Sequence, residues 1–194
     1  MGMPRGPAAP RRGVTWEEFL DLDEDDPREL VDGELVEIDV PGRAHEWAVS
    51  ELAGTLREWA RARRAGIVLA SGFKVRIRHD RGVMPDVQLF RTGGRPIPER
   101  GLDAGAPDLA VEVVSPASRG FDRVRKLEWY ASIGTPEYWL VDPERRTLDR
   151  FLLAPSTRLE LAESLAGDVV FRPTTLEGFA LDLATLWSLP DWFR

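Results

Sequence analysis

Three side chains in this sequence have the types and spacing of a metal-assisted hydrolytic centre. Asp86 follows Pro85, Glu112 interrupts the apolar run from Leu109 to Val114, and Lys126 comes soon after. Lys74 and Lys126 are the only lysines among 26 basic residues; all the others are arginine. Where almost every positive charge is written as arginine, a retained lysine points to a compact, titratable ammonium rather than a planar fork. Two carboxylates at the ends of apolar strands plus one ammonium is the chemistry of metal-assisted phosphate-ester hydrolysis.

Glu112 is the strongest of the three. It lies among Val111, Val113 and Val114, in a segment apolar enough to be a central strand covered on both sides. A lone buried carboxylate is costly and protonates unless it is paired or bound to metal. Alternation along a strand puts Asp108, Ala110, Glu112 and Val114 on one face, so a positive group must meet Glu112 there. The separation from Asp86 is 112 − 86 = 26 residues, room for one strand, a loop and a neighbouring strand. Adjacent strands can therefore bring the two carboxylates together. Such oxygen donors suit Mg2+ or Mn2+, with the carbonyl of Val113 as a third ligand. Asp122 and Lys126 are four apart on one helical face, with Trp129 and Tyr130 just beyond. The ammonium then emerges beside aromatic bulk, where it stabilises a hydroxide or developing phosphorane charge, and Asp122 holds it in place.

The elements that must position these groups are legible in the pattern. Thr15-Trp16-Glu17-Glu18 is a capping box opening a short helix to about Leu22. Residues 28–38 read as a hairpin turning at Asp32-Gly33. Trp47, Ala48, Leu52, Leu56, Trp59 and Ala60 recur at helical spacing, predicting a long amphipathic helix from about Arg43 to Arg64. A short strand at 67–70 follows. Phe73, Val75 and Ile77 then alternate with Lys74, Arg76 and Arg78, giving a strand with one buried and one basic face. Residues 83–90 read as one strand, 91–106 as a loop, 109–114 as the central strand and 120–133 as a helix stopped by Gly134-Thr135-Pro136. Strands at 138–141 and 147–153 come next, then short strands, and residues 181–187 suit a helical turn or two. The order implies a mixed α/β (α+β) fold, a sheet with helices packed on it and additional hairpins, in a single domain over 13–194.

Composition narrows the function. The 194 residues are 43% hydrophobic, enough for a sizeable core, and contain no cysteine, so disulfides, zinc–thiolate sites and thiol catalysis are excluded. No stretch reaches the ~20 apolar residues of a membrane span, so no membrane partner is expected. Residues 1–12 carry no apolar core of a signal peptide and read as a disordered tail; a cytoplasmic location is expected. The net charge of −7 counts against a simple DNA-binding module. It counts less against a hydrolase whose acidic residues hold metal ions.

The residues also carry a resemblance. Glu29-Leu-Val-Asp-Gly-Glu-Leu35, His45, Pro85-Asp86-Val87, Ala106-Pro-Asp-Leu-Ala-Val-Glu-Val-Val-Ser-Pro116, the Asp122, Lys126, Tyr130 spacing and Glu137-Tyr-Trp-Leu-Val-Asp-Pro143 resemble, in order, the Uma2 family of the PD-(D/E)XK, restriction-endonuclease-like superfamily. The likeness runs from about Arg28 to Leu153. It implies a restriction-endonuclease-like core, a magnesium-dependent nuclease site and a homodimer. By position, Asp86 and Glu112 would be the metal-binding acids, with Glu29 and His45 in supporting places. One departure stands out: the superfamily's lysine usually lies two residues after the Glu, where this chain has Val114, so Lys126 on the next helix becomes the candidate.

Plainer readings exist for each residue. Asp86 suits a strand start beside proline, and Glu112 suits a buried ion pair to an arginine such as Arg76. Lys126 and Asp122 suit a surface pair, and His45 a hydrogen-bonding residue at a helix start. Arg76, Arg78 and Arg81 suit either a phosphate-contacting patch or a solvated strand face. Two functions follow: a metal-dependent nuclease acting on nucleic acid, DNA foremost, or a catalytically silent dimeric binding or regulatory module on the same fold.

Overall fold

The capping box forms as its residues dictate. Thr15 Oγ1 accepts the Glu18 N–H at 3.3 Å, and Glu18 Oε2 accepts the Thr15 N–H at 2.8 Å, opening α1 (Trp16–Leu20). In this computed structural model, which describes residues 13–23, 26–37, 40–70, 72–114 and 122–193, without the side chains of 122–124, α1 leads into a hairpin. β1 (Arg28–Val31) and β2 (Glu34–Glu37) pair antiparallel about Asp32 and Gly33, both left-handed, as a tight primed turn requires. The disordered tail expected at 1–12, Ile38 of the hairpin, Ser115, Pro116 and the Asp122 side chain lie outside the described residues.

α2 (Arg43–Arg63) follows, burying Ala48, Leu52, Leu56, Trp59 and Ala60 along one stripe. Then come β3 (Gly66–Ala70), β4 (Lys74–Arg78), β5 (Arg81–Val83), β6 (Val87–Arg91), β7 (Gly101–Leu102) and β8 (Leu109–Val113). α3 (Asp122–Ser132) connects β8 to β9 (Glu137–Asp142), which continues into β10 (Thr147–Leu153) and β11 (Leu159–Ala166). The small pair β12 (Val170–Phe171) and β13 (Leu181–Asp182) precedes α4 (Ala184–Trp187).

The strands form two principal sheets. One runs β2-β1-β5-β4-β7 and the other β11-β10-β9-β8-β6-β3. β8 lies inside the second sheet, antiparallel to β6 and parallel to β9. The parallel step needs a crossover, which α3 supplies. Alternation along β8 divides two cores: Leu109, Val111 and Val113 face α2 and the C-terminal segment, while Ala110 faces Tyr130, Val75 and Val83. The mixed sheet flanked by helices, with an added hairpin, is the α/β (α+β) class that the sequence predicts. Among the described residues no helix is long and apolar enough to cross a membrane.

Three segments differ from the sequence reading. The strand expected over 83–90 is two strands in different sheets, β5 and β6, and the chain crosses between them at Met84-Pro85-Asp86. Pro85 has no N–H to give a ladder, so the break falls there. The loop expected over 91–106 contains β7, which pairs parallel with β4. Lys74 does not lie on a solvated basic face: it is 5% exposed, and its Nζ donates to the carbonyls of Phe19 at 2.9 Å and Leu22 at 3.4 Å. The end of α1 leaves carbonyls without helical donors, and Lys74 supplies them.

Candidate active site

Sheet register brings the two candidate acids together. β6 and β8 run antiparallel with Val87 opposite Val111. Extended by one position, that register sets Asp86 opposite Glu112. The opening of β6 therefore lies beside the carboxyl end of β8, where parallel α/β units tend to bind ligands. The Val113 N–H donates to Asp86 Oδ2 at 2.7 Å, fixing the carboxylate there. The residue expected to offer its carbonyl thus meets Asp86 through its N–H.

Glu112 points to the α3 side of the sheet. Its Oε2 accepts from Lys126 Nζ at 3.0 Å, and its Oε1 accepts from the Tyr130 hydroxyl at 2.6 Å. Lys126 and Tyr130 are four apart in α3, so one helical face delivers both. The same ammonium donates to Glu29 Oε1 at 3.1 Å, and that oxygen also accepts the Met84 N–H at 3.3 Å. β1, the 84–86 crossing, β8 and α3 therefore meet at one point. His45, in the first turn of α2, places Nε2 3.4 Å from Asp86 Oδ1 and Nδ1 3.3 Å from Glu46.

Electrostatics set the protonation states. Burial pushes the Glu112 carboxyl up to about 7; the Lys126 charge opposes this, while the Asp86 and Glu29 charges add to it. Burial works against the Lys126 ammonium, yet Glu112 and Glu29 raise its pKa well above the ordinary lysine value. Tyr130 is also raised well above the ordinary value, by burial and by the Glu112 charge, so its hydroxyl stays a donor. Burial lowers the His45 pKa, but Asp86 and Glu46 overcome it and the net shift is upward.

Of the residues singled out in the sequence, Asp86, Glu112, Lys126, Glu29 and His45 converge. Glu112 pairs with Lys126 rather than Arg76, which lies 3.8 Å from Glu17. Lys126 is held by Glu29 and Glu112; the hold expected from Asp122 lies outside the described side chains. The sequence reading treated Tyr130 as aromatic bulk and missed its hydrogen bond to Glu112. The signal was there in its i+4 spacing from Lys126.

The donor set fits a hard divalent ion. Magnesium takes one or two carboxylates, with water and phosphate oxygens completing the shell. Asp86 and Glu112 supply two such carboxylates. Among the described residues no group of three His, Asp or Glu side chains that could hold a metal ion is present. The site also holds three carboxylates (Glu29, Asp86 and Glu112) against one ammonium, and the Asp86 and Glu29 charges add to the upward shift that burial gives Glu112. A divalent cation would relieve that surplus.

The model of the Uma2 family, described as "Putative restriction endonuclease", matches residues 16–184. Among solved structures, the crystal structure of "a putative nuclease belonging to DUF820" from Anabaena variabilis ATCC 29413 superposes with a TM-score of 0.72 at 23% identity, covering 90% of this chain and 97% of that chain. That likeness establishes a shared fold. No curated protein matches the chain.

Proposed function

The chain belongs to the Uma2 family, and from that premise we propose that it hydrolyses nucleic-acid phosphodiester bonds with a magnesium or manganese ion held by Asp86 and Glu112. The observation that carries this reading is the Lys126 ammonium 3.0 Å from Glu112, at the strand end where Asp86 lies across from it. DNA is the expected polymer, on analogy with the superfamily. The resemblance also carries the expectation of a homodimer, which the sedimentation coefficient of the purified protein checks.

The division of labour follows from the contacts. When bound, the divalent ion supplies a water of lowered pKa and offsets phosphoryl charge. The Val113 N–H and His45 fix the two oxygens of Asp86, and Tyr130 fixes Glu112. Lys126 stays an ammonium, so it is no proton acceptor in the free protein. Its part is electrostatic: it donates toward the oxygen on which charge develops during attack at phosphorus. Glu29, sharing that ammonium with Glu112, aims it and acts as a positioning residue.

Nicking of supercoiled plasmid with manganese or magnesium tests the reading. The parent is expected to nick only with metal, and Glu112→Gln is expected to lose the activity. A parent that neither nicks nor gains melting temperature on adding manganese would overturn the proposal.

A further inference from the structure

A second charged cluster stands beside the site and takes no part in it. Asp32, at the β1–β2 turn, pairs through Oδ1 with the guanidiniums of both Arg78 and Arg81, and its Oδ2 lies 3.8 Å from Arg125. Arg78 also donates to Asp80 at 2.6 Å. Arg81 stacks 4.5 Å over the Trp129 ring and Arg125 lies 5.7 Å from it, so one indole carries two cations. Among the described residues, the guanidiniums of this cluster meet the carboxylates of Asp32 and Asp80. Arg81 Nε is buried without a hydrogen-bond partner among the described residues.

The cluster is tied to the site by shared elements. β1 contributes Glu29 to the site and leads into the turn at Asp32; β5 contributes Arg81 and leads directly to Asp86; α3 contributes Lys126 and its neighbour Arg125. From Glu29 to Asp32 is three residues of strand, about 10 Å. The sequence pattern grouped Arg78 with Arg76, but the register shifts between them and sets Arg78 opposite Arg81, while Arg76 reaches Glu17. Such irregularities re-aim side chains.

We infer that Arg78, Arg81 and Arg125 grip a backbone phosphate of a nucleic-acid strand lying across the site, and that the Asp32 carboxylate keeps that phosphate's place in the free protein. The inference rests on the nuclease reading for the identity of the strand. Guanidinium forks match phosphate and carboxylate alike, so one anion can replace the other. The Asp32 side chain is 45% exposed, so solvent and a competing anion can reach its pairs. At about 10 Å along the strand, the clamp acts on a phosphate other than the scissile one.

The test is fluorescence anisotropy of the full chain with a fluorescein-labelled 12-base DNA, in EDTA to prevent turnover, over a salt series. Arg78→Ala is expected to weaken binding roughly tenfold and to lower the salt slope by about 1. Asp32→Asn is expected to tighten binding several-fold, since it removes the competing charge. Asn also tolerates the left-handed backbone at that position, so the fold is kept. An unchanged affinity and slope in Arg78→Ala, or weaker binding in Asp32→Asn, would overturn the clamp. Failure of the nuclease reading would show separately, as a parent that neither nicks plasmid nor gains melting temperature with manganese.

Discussion

The two lysines of this chain are both largely buried, and their surroundings treat them in opposite ways. Lys74 lies between β4 and the end of α1, donating to two backbone carbonyls and lying 4.9 Å from the Phe19 ring. Its partners carry no formal charge, so desolvation prevails and its pKa falls below the ordinary lysine value. Lys126 faces two carboxylates at 3.0 and 3.1 Å, and its pKa rises instead. Burial alone therefore does not mark a functional lysine. The sign of the shift records whether the partners can compensate the charge. At Lys74 the ammonium satisfies a helix end. At Lys126 it sits within a surplus of carboxylate that leaves a place for further positive charge.

Replacing each lysine with methionine, which keeps the chain length and removes the charge, would break the comparison at its strongest point. Lys126→Met is expected to cut metal-dependent plasmid nicking about 100- to 1000-fold, the usual cost of removing one preorganised charge-stabilising donor. Lys74→Met is expected to leave the nicking rate unchanged and to cost about 1–3 kcal/mol of stability by removing the ammonium's hydrogen bonds to the Phe19 and Leu22 carbonyls. In a protein of this size that lowers Tm by roughly 5 °C. Nicking assays beside thermal melts of the two variants check both. Equal activity in the two would remove any distinction of role between them.

The contrast also bears on how much could be read from the sequence. Rarity picked out both lysines, and apolar context picked out Glu112, because a charge inside a valine-rich run has few explanations. The acids' neighbourhood was legible from spacing, since 26 residues accommodate a loop between adjacent strands. The partners were less legible. Glu29 reaches Lys126 only because β1 belongs to the other sheet and the chain crosses between sheets at Pro85, a tertiary event with no local period. Lys74 was misplaced for a related reason. Alternation assigns it a face but cannot say that α1 covers that face with unsatisfied carbonyls. Local pattern fixes which way a side chain points; what meets it depends on elements far away in sequence.

Glu112 sharpens the comparison through pH. Its folded pKa is about 7 against an ordinary value of 4.5, so between these limits the native state binds a proton that the unfolded chain releases. Stability of the metal-free protein must then fall as pH rises across that window. His45, raised above its ordinary 6.5, adds loss of the same sign at the upper end. Melting the parent and Glu112→Gln from pH 5 to 7.5 separates the two. The parent should lose roughly 5 °C, and the variant distinctly less. Matching slopes would mean that Glu112 stays ionised throughout and that the carboxylate surplus is already neutralised by Lys126. Manganese competes with the same proton, so its apparent affinity should rise over the same range.

Tyr130→Phe probes the smallest term. The hydroxyl donates to Glu112 Oε1 at 2.6 Å, and its own shift keeps it protonated. Removing it leaves the ring in place but takes from Glu112 a donor that favours the ionised form. The carboxyl then holds its proton to higher pH, and a divalent ion must displace it against a larger cost. Manganese affinity, read from the concentration that gives half the maximal rise in Tm, is expected to weaken about tenfold at pH 7. The deficit should shrink as pH rises, because the proton is then lost without help from the metal. A purely structural role for the hydroxyl would lower Tm by the same amount at every pH and leave the manganese midpoint where it was. The pH dependence of that midpoint therefore decides whether Tyr130 tunes the acid or only packs beside it.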